Sequence, residues 1–203
     1  MRNTAGSARR AGDGGAGDSP GRFGSTATVE IDPRRVGAVR IAYNPRVDGS
    51  ADPGEVVWTW VPYQEADGRG KDRPVLVIAS EPGGTVLGVA LTSKPHDDRW
   101  DVAIGSGPWD PAGRPSWVRL ERVFRLHQGG VRRRGVALGE REFGVVAGEL
   151  ERMFGWRAGA SSRAVAAAAG AGASGAAGSR ADARPATRAG VLRRVLGRLF
   201  GRR

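Results

Sequence analysis

The 203-residue chain contains no cysteine, so disulfide bonds, thiolate nucleophiles and cysteine-based zinc sites are excluded. Histidine occurs only at His96 and His127, which is too few for a histidine-based metal site without carboxylate ligands. We therefore expect no metal ion and no other cofactor.

Long apolar runs are also missing. No stretch approaches the roughly 18 consecutive apolar residues of a membrane span, and the N-terminus lacks the apolar core of a secretion signal. These absences predict a cytoplasmic protein that is not transmembrane.

Lysine is rare, since only Lys71 and Lys94 occur among the 32 basic residues. The net charge of +11 is unevenly distributed. Residues 1–29 carry +2 and residues 157–203 carry +9, whereas residues 30–156 hold 18 basic and 18 acidic residues and are neutral. Bulk charge therefore indicates a basic tail and not a polyanion-binding domain.

The composition divides the chain into five parts. Residues 1–29 and 157–190 are rich in Gly, Ala, Ser and Arg, and we expect a disordered N-terminal tail and a disordered linker, because neither stretch can bury enough apolar surface. Residues 30–53 form a lead-in segment to a folded domain at 54–156. Residues 191–203 carry apolar and arginine side chains on opposite sides of a helical wheel. This basic amphipathic helix is either an anchor for RNA, a ribosome, a partner or an anionic surface, or a marginal helix that only solubilises the tail.

The sequence of the folded domain predicts a mainly β structure with one helix. Residues 56–61 alternate with period two, residues 75–79 and 85–91 are apolar on both faces, and residues 100–104 and 116–120 add two more short strands. The polar residues 64–72 predict a long loop. Five short strands in so few residues suggest a small barrel or a strongly bent sheet. Apolar residues at spacings of three and four over 138–154 predict a C-terminal helix that covers one side.

Two polar side chains are predicted to meet in this sheet. Arg73 precedes the strand at 75–79, and Thr92 ends the next strand. If these strands pair as a hairpin, the guanidinium and the hydroxyl converge on one spot. The planar fork of N–H donors on an arginine matches phosphate geometry, so the pair suits a phosphodiester.

Four motifs in this order resemble those of the PemK/MazF family, the toxins of type II toxin–antitoxin systems. They are GEVVW at 54–58, KDRPVLVI at 71–78, VALTS at 89–93 and SWVRLERV at 116–123, followed by a helix. The resemblance covers about half of the chain and leaves both tails unexplained. It implies an SH3-like barrel that forms a homodimer, a cognate antitoxin protein as partner, and DNA as a target of the toxin–antitoxin complex.

The resemblance also implies an activity, metal-independent endoribonuclease cleavage of single-stranded RNA at short motifs. In the family, the 2′-OH attacks the adjacent phosphate and leaves a 2′,3′-cyclic phosphate and a 5′-OH. The family's catalytic pair falls on Arg73 and Thr92. Ser93 and Lys94 continue the family pattern imperfectly, and which acid, Glu65 or Asp67, supports the arginine stays open.

The chemistry of such a cleavage needs charge stabilisation and two proton transfers. Arg73 can stabilise the charge, but a guanidinium is a poor general base at neutral pH. We therefore expect Thr92 to donate a hydrogen bond to the phosphate and His96, which titrates near neutrality, to be the candidate for proton transfer. The candidate RNA-binding residues are Lys71, Ser93, Lys94, Arg69 and Trp109.

Alternatives stand beside each of these roles. Arg73 could pair with Asp72 or Glu55, Thr92 could be an ordinary end of a strand, and His96 a loop histidine near carboxylates. Tryptophans in this region suit the core and a dimer interface, although Trp109, in a Gly/Pro loop, could stack an unpaired base. Arginines 132–134 form either a solvated face or a phosphate-binding strip. The alternative function is a noncatalytic protein of the same fold that binds a topoisomerase or nucleic acid.

Overall fold

The computed structural model describes residues 19–46, 48–65, 67–96 and 99–159. The predicted basic helix at 191–203 and all but the first three residues of the predicted linker lie outside the described residues. No helix in the described ranges is long and apolar enough to cross a membrane.

The described chain is mainly antiparallel β-sheet with one α-helix. Its strands are, in chain order, β1 (Val29–Ile31), β2 (Arg40–Ile41), β3 (Glu55–Pro62), β4 (Gly70–Glu81), β5 (Thr85–Thr92), β6 (Asp101–Gly105), β7 (Ser116–His127), β8 (Arg132–Ala137) and β9 (Arg157–Ala158). The helix α1 spans Glu140–Phe154. The main sheet has the order β1-β7-β5-β4-β3-β8, with β6 also paired to β7.

In the described residues, the strand pairing does not form the predicted closed barrel. Among the described residues the ladder is an open path that ends at β1 and β8, and no pairing joins those two edges. The sheet bends instead at irregularities, one in the β4–β5 ladder between Val77 and Ala79 and one in the β5–β7 ladder between Val89 and Leu91. Such bulges increase local twist and change the direction of a strand. The mainly β class with a covering helix is confirmed, and closure into a barrel is not supported.

The second bulge divides β7 into two halves. Val89 pairs with Val123 and Leu91 pairs with Val118, so four residues of β7, 119–122, stand against the single Ala90 of β5. The first half of β7 carries β6 and the second half carries β1. The apolar pattern of the sequence predicts only residues 116–120 of this strand, because charged residues interrupt the pattern beyond them.

Helix α1 covers one face of the sheet, as predicted. Its buried residues Phe143, Val146, Ala147 and Leu150 join the main core cluster with Leu76, Ile78 and other residues of the sheet. Glu140 and Glu142 lie in the first turn, where acidic side chains are favourable, and Gly155 ends the helix with φ 69°.

The segment that precedes β3 differs from its prediction. Residues 19–28 belong to the predicted disordered tail, but they lie against the sheet: Trp60 donates its backbone N–H to Pro20, and the hydroxyls of Thr28 and Thr59 are 2.7 Å apart. Beyond Trp58, β3 no longer pairs with β8, so this segment supplies partners that the strand edge would otherwise lack. The predicted N-terminal tail is therefore wrong for residues 19–29.

Two further boundaries are corrected. Residues 157 and 158, assigned to the linker, form β9 and pair in parallel with β2, where Ile41 is fully buried. Strand β4 begins at Gly70, within the predicted loop, because Gly70–Pro74 pair with the far end of β3. The arginine run 132–134 lies on β8, a strand that the sequence analysis did not predict.

Candidate active site

A cleft of about 630 Å³ opens where β4 and β5 separate. The two strands pair from Glu81 with Thr85 to Val75 with Ala90. Beyond that point, the beginning of β4 pairs only with β3, and the end of β5 pairs only with β7. The side chains at the two diverging ends therefore face a shared space.

The cleft collects seven of the eight candidate residues. The seven are Lys71, Arg73, Thr92, Ser93, Lys94, His96 and Trp109. Arg69 does not line it: this exposed side chain instead donates from Nε to Asp67 Oδ2 over 2.6 Å. Hydrogen bonds from the Arg69 backbone and side chain lower the pKa of Asp67, which is thereby occupied within its own loop.

Arg73 is a half-buried cation without a protein partner. In the described part of the chain no hydrogen bond, ion pair or ring contact engages its guanidinium. The two acids that could have neutralised it are taken: Asp72 pairs with Arg132, and Glu55 pairs with Arg133. An unpaired guanidinium that faces a cleft is available to bind an anion.

The remaining arginines of the cleft are paired. Arg114 donates to Asp110 over 2.8 Å, Arg119 bonds to Asp101 and Glu121, and Arg122 bonds to Glu30. The hydrogen bond from Arg114 and one from the Ala112 N–H lower the pKa of Asp110.

Both lysines of the protein, Lys71 and Lys94, line the same cleft, and no described ion pair holds either of them. Six basic side chains and three acidic ones line the cleft, so its surface carries a net positive charge. A cleft of this sign concentrates anionic ligands. This positive cleft could not be inferred from the net charge of residues 30–156, which is zero, because most of the acidic residues in that range do not line the cleft.

The hydroxyl of Thr92 is engaged in a local turn. Its Oγ1 lies 3.1 Å from both the Lys94 carbonyl oxygen, to which it can donate, and the Lys94 backbone nitrogen, from which it accepts. The turn fixes the direction of Ser93 and Lys94 at the end of β5. The Thr92 hydroxyl has a single hydrogen to donate. If it donates to a phosphate, its hydrogen bond to the Lys94 carbonyl oxygen has to break.

His96 lies at the rim of the cleft and is exposed. Its backbone N–H donates to Asp101 Oδ2 over 2.6 Å, and its Nδ1 is 3.7 Å from the same oxygen. Asp101 is in turn held by Arg119 Nη1 at 2.9 Å. The aspartate anchors the histidine's loop to β6.

Trp109 is not the exposed stacking platform that its Gly/Pro loop suggested. The side chain is 7% exposed and belongs to the main core cluster, and a Cβ on Gly107 would come within 2.3 Å of its ring. Its indole N–H is buried and has no hydrogen-bond partner among the described residues. The glycine that signalled a loop is there to let the backbone pass close to the indole.

Sequence reasoning missed the contribution of β7. Arg119, Glu121 and Arg122 line the cleft because the bulge at 119–122 directs them into it. Bulges often re-aim side chains next to active sites. No group of three or more acidic or histidine side chains in the described ranges is arranged to hold a metal ion.

Comparisons with known proteins bear on this region. The model of the PemK-like, MazF-like toxin of type II toxin–antitoxin systems matches residues 52–154. Among solved structures, a MazE–MazF complex (Form-II) from Deinococcus radiodurans is 19% identical, with a TM-score of 0.41, and covers 52% of this chain and 96% of its own. MazF (Form-I) from the same organism is also 19% identical, with a TM-score of 0.42, and covers 52% and 97%. No curated protein matches the chain.

The matched residues include strands β3 to β8, all of α1 and all seven candidate residues of the cleft. Since the family model covers half of the sequence, the chain belongs to the PemK-like, MazF-like toxin family of type II toxin–antitoxin systems.

Proposed function

We propose that the protein is a metal-independent endoribonuclease that cleaves single-stranded RNA at short sequence motifs. The observation that carries the proposal is the unpaired guanidinium of Arg73 in a cationic cleft, beside the end of β5. Family membership supports the toxin role.

The proposed reaction is an internal transfer at phosphorus. The 2′-oxygen attacks the adjacent phosphorus, the bond from phosphorus to the 5′-oxygen breaks, and the products are a 2′,3′-cyclic phosphate and a 5′-OH. A base accepts the 2′-proton, and an acid protonates the leaving 5′-oxygen. Negative charge accumulates on the nonbridging oxygens, where the fork of Arg73 stabilises it.

Thr92 and His96 are proposed to complete the site. Thr92 gives up its bond to the Lys94 carbonyl and donates to a nonbridging oxygen. His96 moves a proton, because one nitrogen of a histidine ring can accept a proton while the other donates one. Its loop is held by Asp101, which limits how far the ring can move from the cleft.

Lys71, Ser93 and Lys94 are proposed to bind the flanking phosphates. Lys71 pairs with Val61 and Arg73 pairs with Thr59 in the β3–β4 ladder, so these two cations lie on the same side of β4. Lys94 lies across the cleft at the end of β5. RNA backbone contacts of this kind position the strand without reading its sequence.

We also propose the partners that the family implies: a second copy of the chain, a cognate antitoxin that neutralises the toxin, and DNA bound by the toxin–antitoxin complex. Only the family match supports these partners.

The test is cleavage of a long single-stranded RNA in the presence of EDTA, with the ends of the fragments sequenced. We expect cuts at a short motif that persist in EDTA and vanish in Arg73→Ala. Arg73→Lys keeps the charge but loses the fork, and it should retain binding while cleavage falls by about 10²–10³-fold.

The matched control is Arg141→Ala, which removes an exposed arginine of α1 outside the cleft. Cleavage that survives Arg73→Ala, or that falls equally in Arg141→Ala, would refute the assignment. Intact RNA together with inhibited DNA supercoiling would favour the noncatalytic topoisomerase-binding alternative.

A further inference from the structure

Arg122, a cation of the cleft, is held by an acid from outside the family-matched region. Its Nε lies 2.9 Å from Glu30 Oε1 and its Nη2 lies 2.5 Å from Glu30 Oε2. Nη2 also donates to the Pro62 carbonyl over 2.8 Å. Glu30 lies on β1, which precedes the matched residues 52–154.

The geometry leaves one edge of the guanidinium available. Nη1 of Arg122 has no partner among the described residues, and the bulge of β7 brings the side chain to the cleft. The paired carboxylate cancels the charge that a phosphate would otherwise meet there. Arg122 is thus placed to bind an anion but is electrostatically neutralised.

The carboxylate of Glu30 is more exposed than the other acids that pair with arginines of the cleft. Its side chain is 38% exposed, compared with 29% for Glu121 and 5% for Asp101, the two partners of Arg119, and 8% for Asp110, the partner of Arg114. A solvent-exposed ion pair contributes little stability. A polyanion that delivers several phosphates can therefore displace this carboxylate more readily than the buried ones.

We propose that Arg122 is a second phosphate-binding position of the cleft and that Glu30 competes with RNA for it. The contact between Glu30 and Arg122 lowers the affinity of the cleft for RNA below the affinity that it would have if Arg122 were unpaired. The inference rests on the proposed function, because it names a further contact to the same RNA.

The test measures binding of a short 2′-O-methyl RNA, which has the phosphates but no 2′-OH to attack, over a series of salt concentrations. Glu30→Gln preserves the shape of the side chain and should tighten binding about threefold, since it releases one exposed ion pair. It should also steepen the slope of log affinity against log salt by about 0.7, the value for one additional phosphate on a single strand. The double variant Glu30→Gln/Arg122→Gln has the net charge of the wild type and should lose the gain.

Asp32→Asn is the matched control, because it removes an exposed acid two residues along the chain that lies outside the cleft. The proposal is overturned if Glu30→Gln binds no tighter than Asp32→Asn, or if the double variant keeps the gain. A thermal melt of each variant verifies that β1 stays paired with β7.

The two proposals fail differently. A wild-type protein that does not bind the oligonucleotide, or binds it independently of Arg73, overturns the proposed function and this inference together. Binding that depends on Arg73 but is unaffected by Glu30→Gln overturns the inference alone.

Discussion

Arg133 of β8 forms a two-point ion pair with Glu55 of β3, with Nε and Nη2 lying 3.0 and 2.7 Å from the two carboxylate oxygens. Glu55 is only 4% exposed. The pair joins the edge strand β8 to β3 and occupies one of the two acids that the sequence offered as partners for Arg73. Arg73 itself lies opposite Thr59, four residues further along β3, and its guanidinium has no partner among the described residues.

We expect Glu55→Gln to destabilise the fold by about 2–4 kcal/mol, because it leaves the Arg133 guanidinium partly buried without its counter-charge. Urea unfolding of both proteins measures the difference. Glu149→Gln is the control, since Glu149 pairs with Arg152 on the exposed side of α1 and should change stability by less than about 0.5 kcal/mol. Equal effects of the two substitutions would contradict the structural role of Glu55.

Thr92 is expected to act through its hydroxyl. Thr92→Val keeps the branched shape but removes both the bonds to Lys94 and the proposed donor to phosphate. Cleavage should fall about 10²-fold, as for the loss of one donor to developing charge. Thr92→Ser keeps the hydroxyl and should retain most of the activity. Single-turnover cleavage rates compare the variants, and a valine variant as active as the serine variant would exclude this role.

The hairpin that positions the site could be predicted because its signal is local. Residues 75–79 and 85–91 are continuous apolar runs joined by a Pro-Gly-Gly turn, and they form the buried parts of β4 and β5. Arg73 and Thr92 then follow from the antiparallel pairing. The site residues that entered the cleft from these strand ends were predictable for the same reason.

The other wall of the cleft could not be predicted, because it depends on non-local geometry. Strand β7 alternates buried apolar and half-buried charged residues, and its bulge at 119–122 exists only against Ala90 of β5. Trp109 has a loop-like sequence around it, yet its side chain is buried by tertiary packing. The packing of residues 19–28 against the sheet could not be predicted from composition either. It depends on a close backbone contact between glycines and not on a pattern of apolar side chains.

Glu81 should make stability depend on pH. Two hydrogen bonds from Arg125 lower the pKa of Glu81 below its ordinary value of 4.5. The unfolded chain then binds a proton at a higher pH than the folded chain, so this contribution is fully present above pH 4.5 and is lost as the pH falls below it. The melting temperatures of wild type and Glu81→Gln should therefore converge in acid. A difference that is independent of pH would contradict the pairing.

The packing of residues 19–28 against the sheet gives the last prediction. Gly21 and Gly24 both have positive φ values, 79° and 75°, so replacing either by alanine costs a similar backbone strain. A Cβ on Gly21 would lie 2.1 Å from the Thr59 hydroxyl oxygen, whereas one on Gly24 would meet nothing within 4 Å. Gly21→Ala should therefore destabilise the protein by about 1–3 kcal/mol more than Gly24→Ala, the cost of overpacking.

Urea unfolding of the two alanine variants measures that difference, and the shared strain cancels in the comparison. A larger loss for Gly21→Ala would establish that the segment before β1 is part of the folded unit, since a clash with Thr59 arises only when the segment lies on β3. Equal losses would mean that residues 19–28 leave the sheet at little cost. In that case Trp60 would exchange its bond to Pro20 for one to water, and the edge of β3 would be open to another chain.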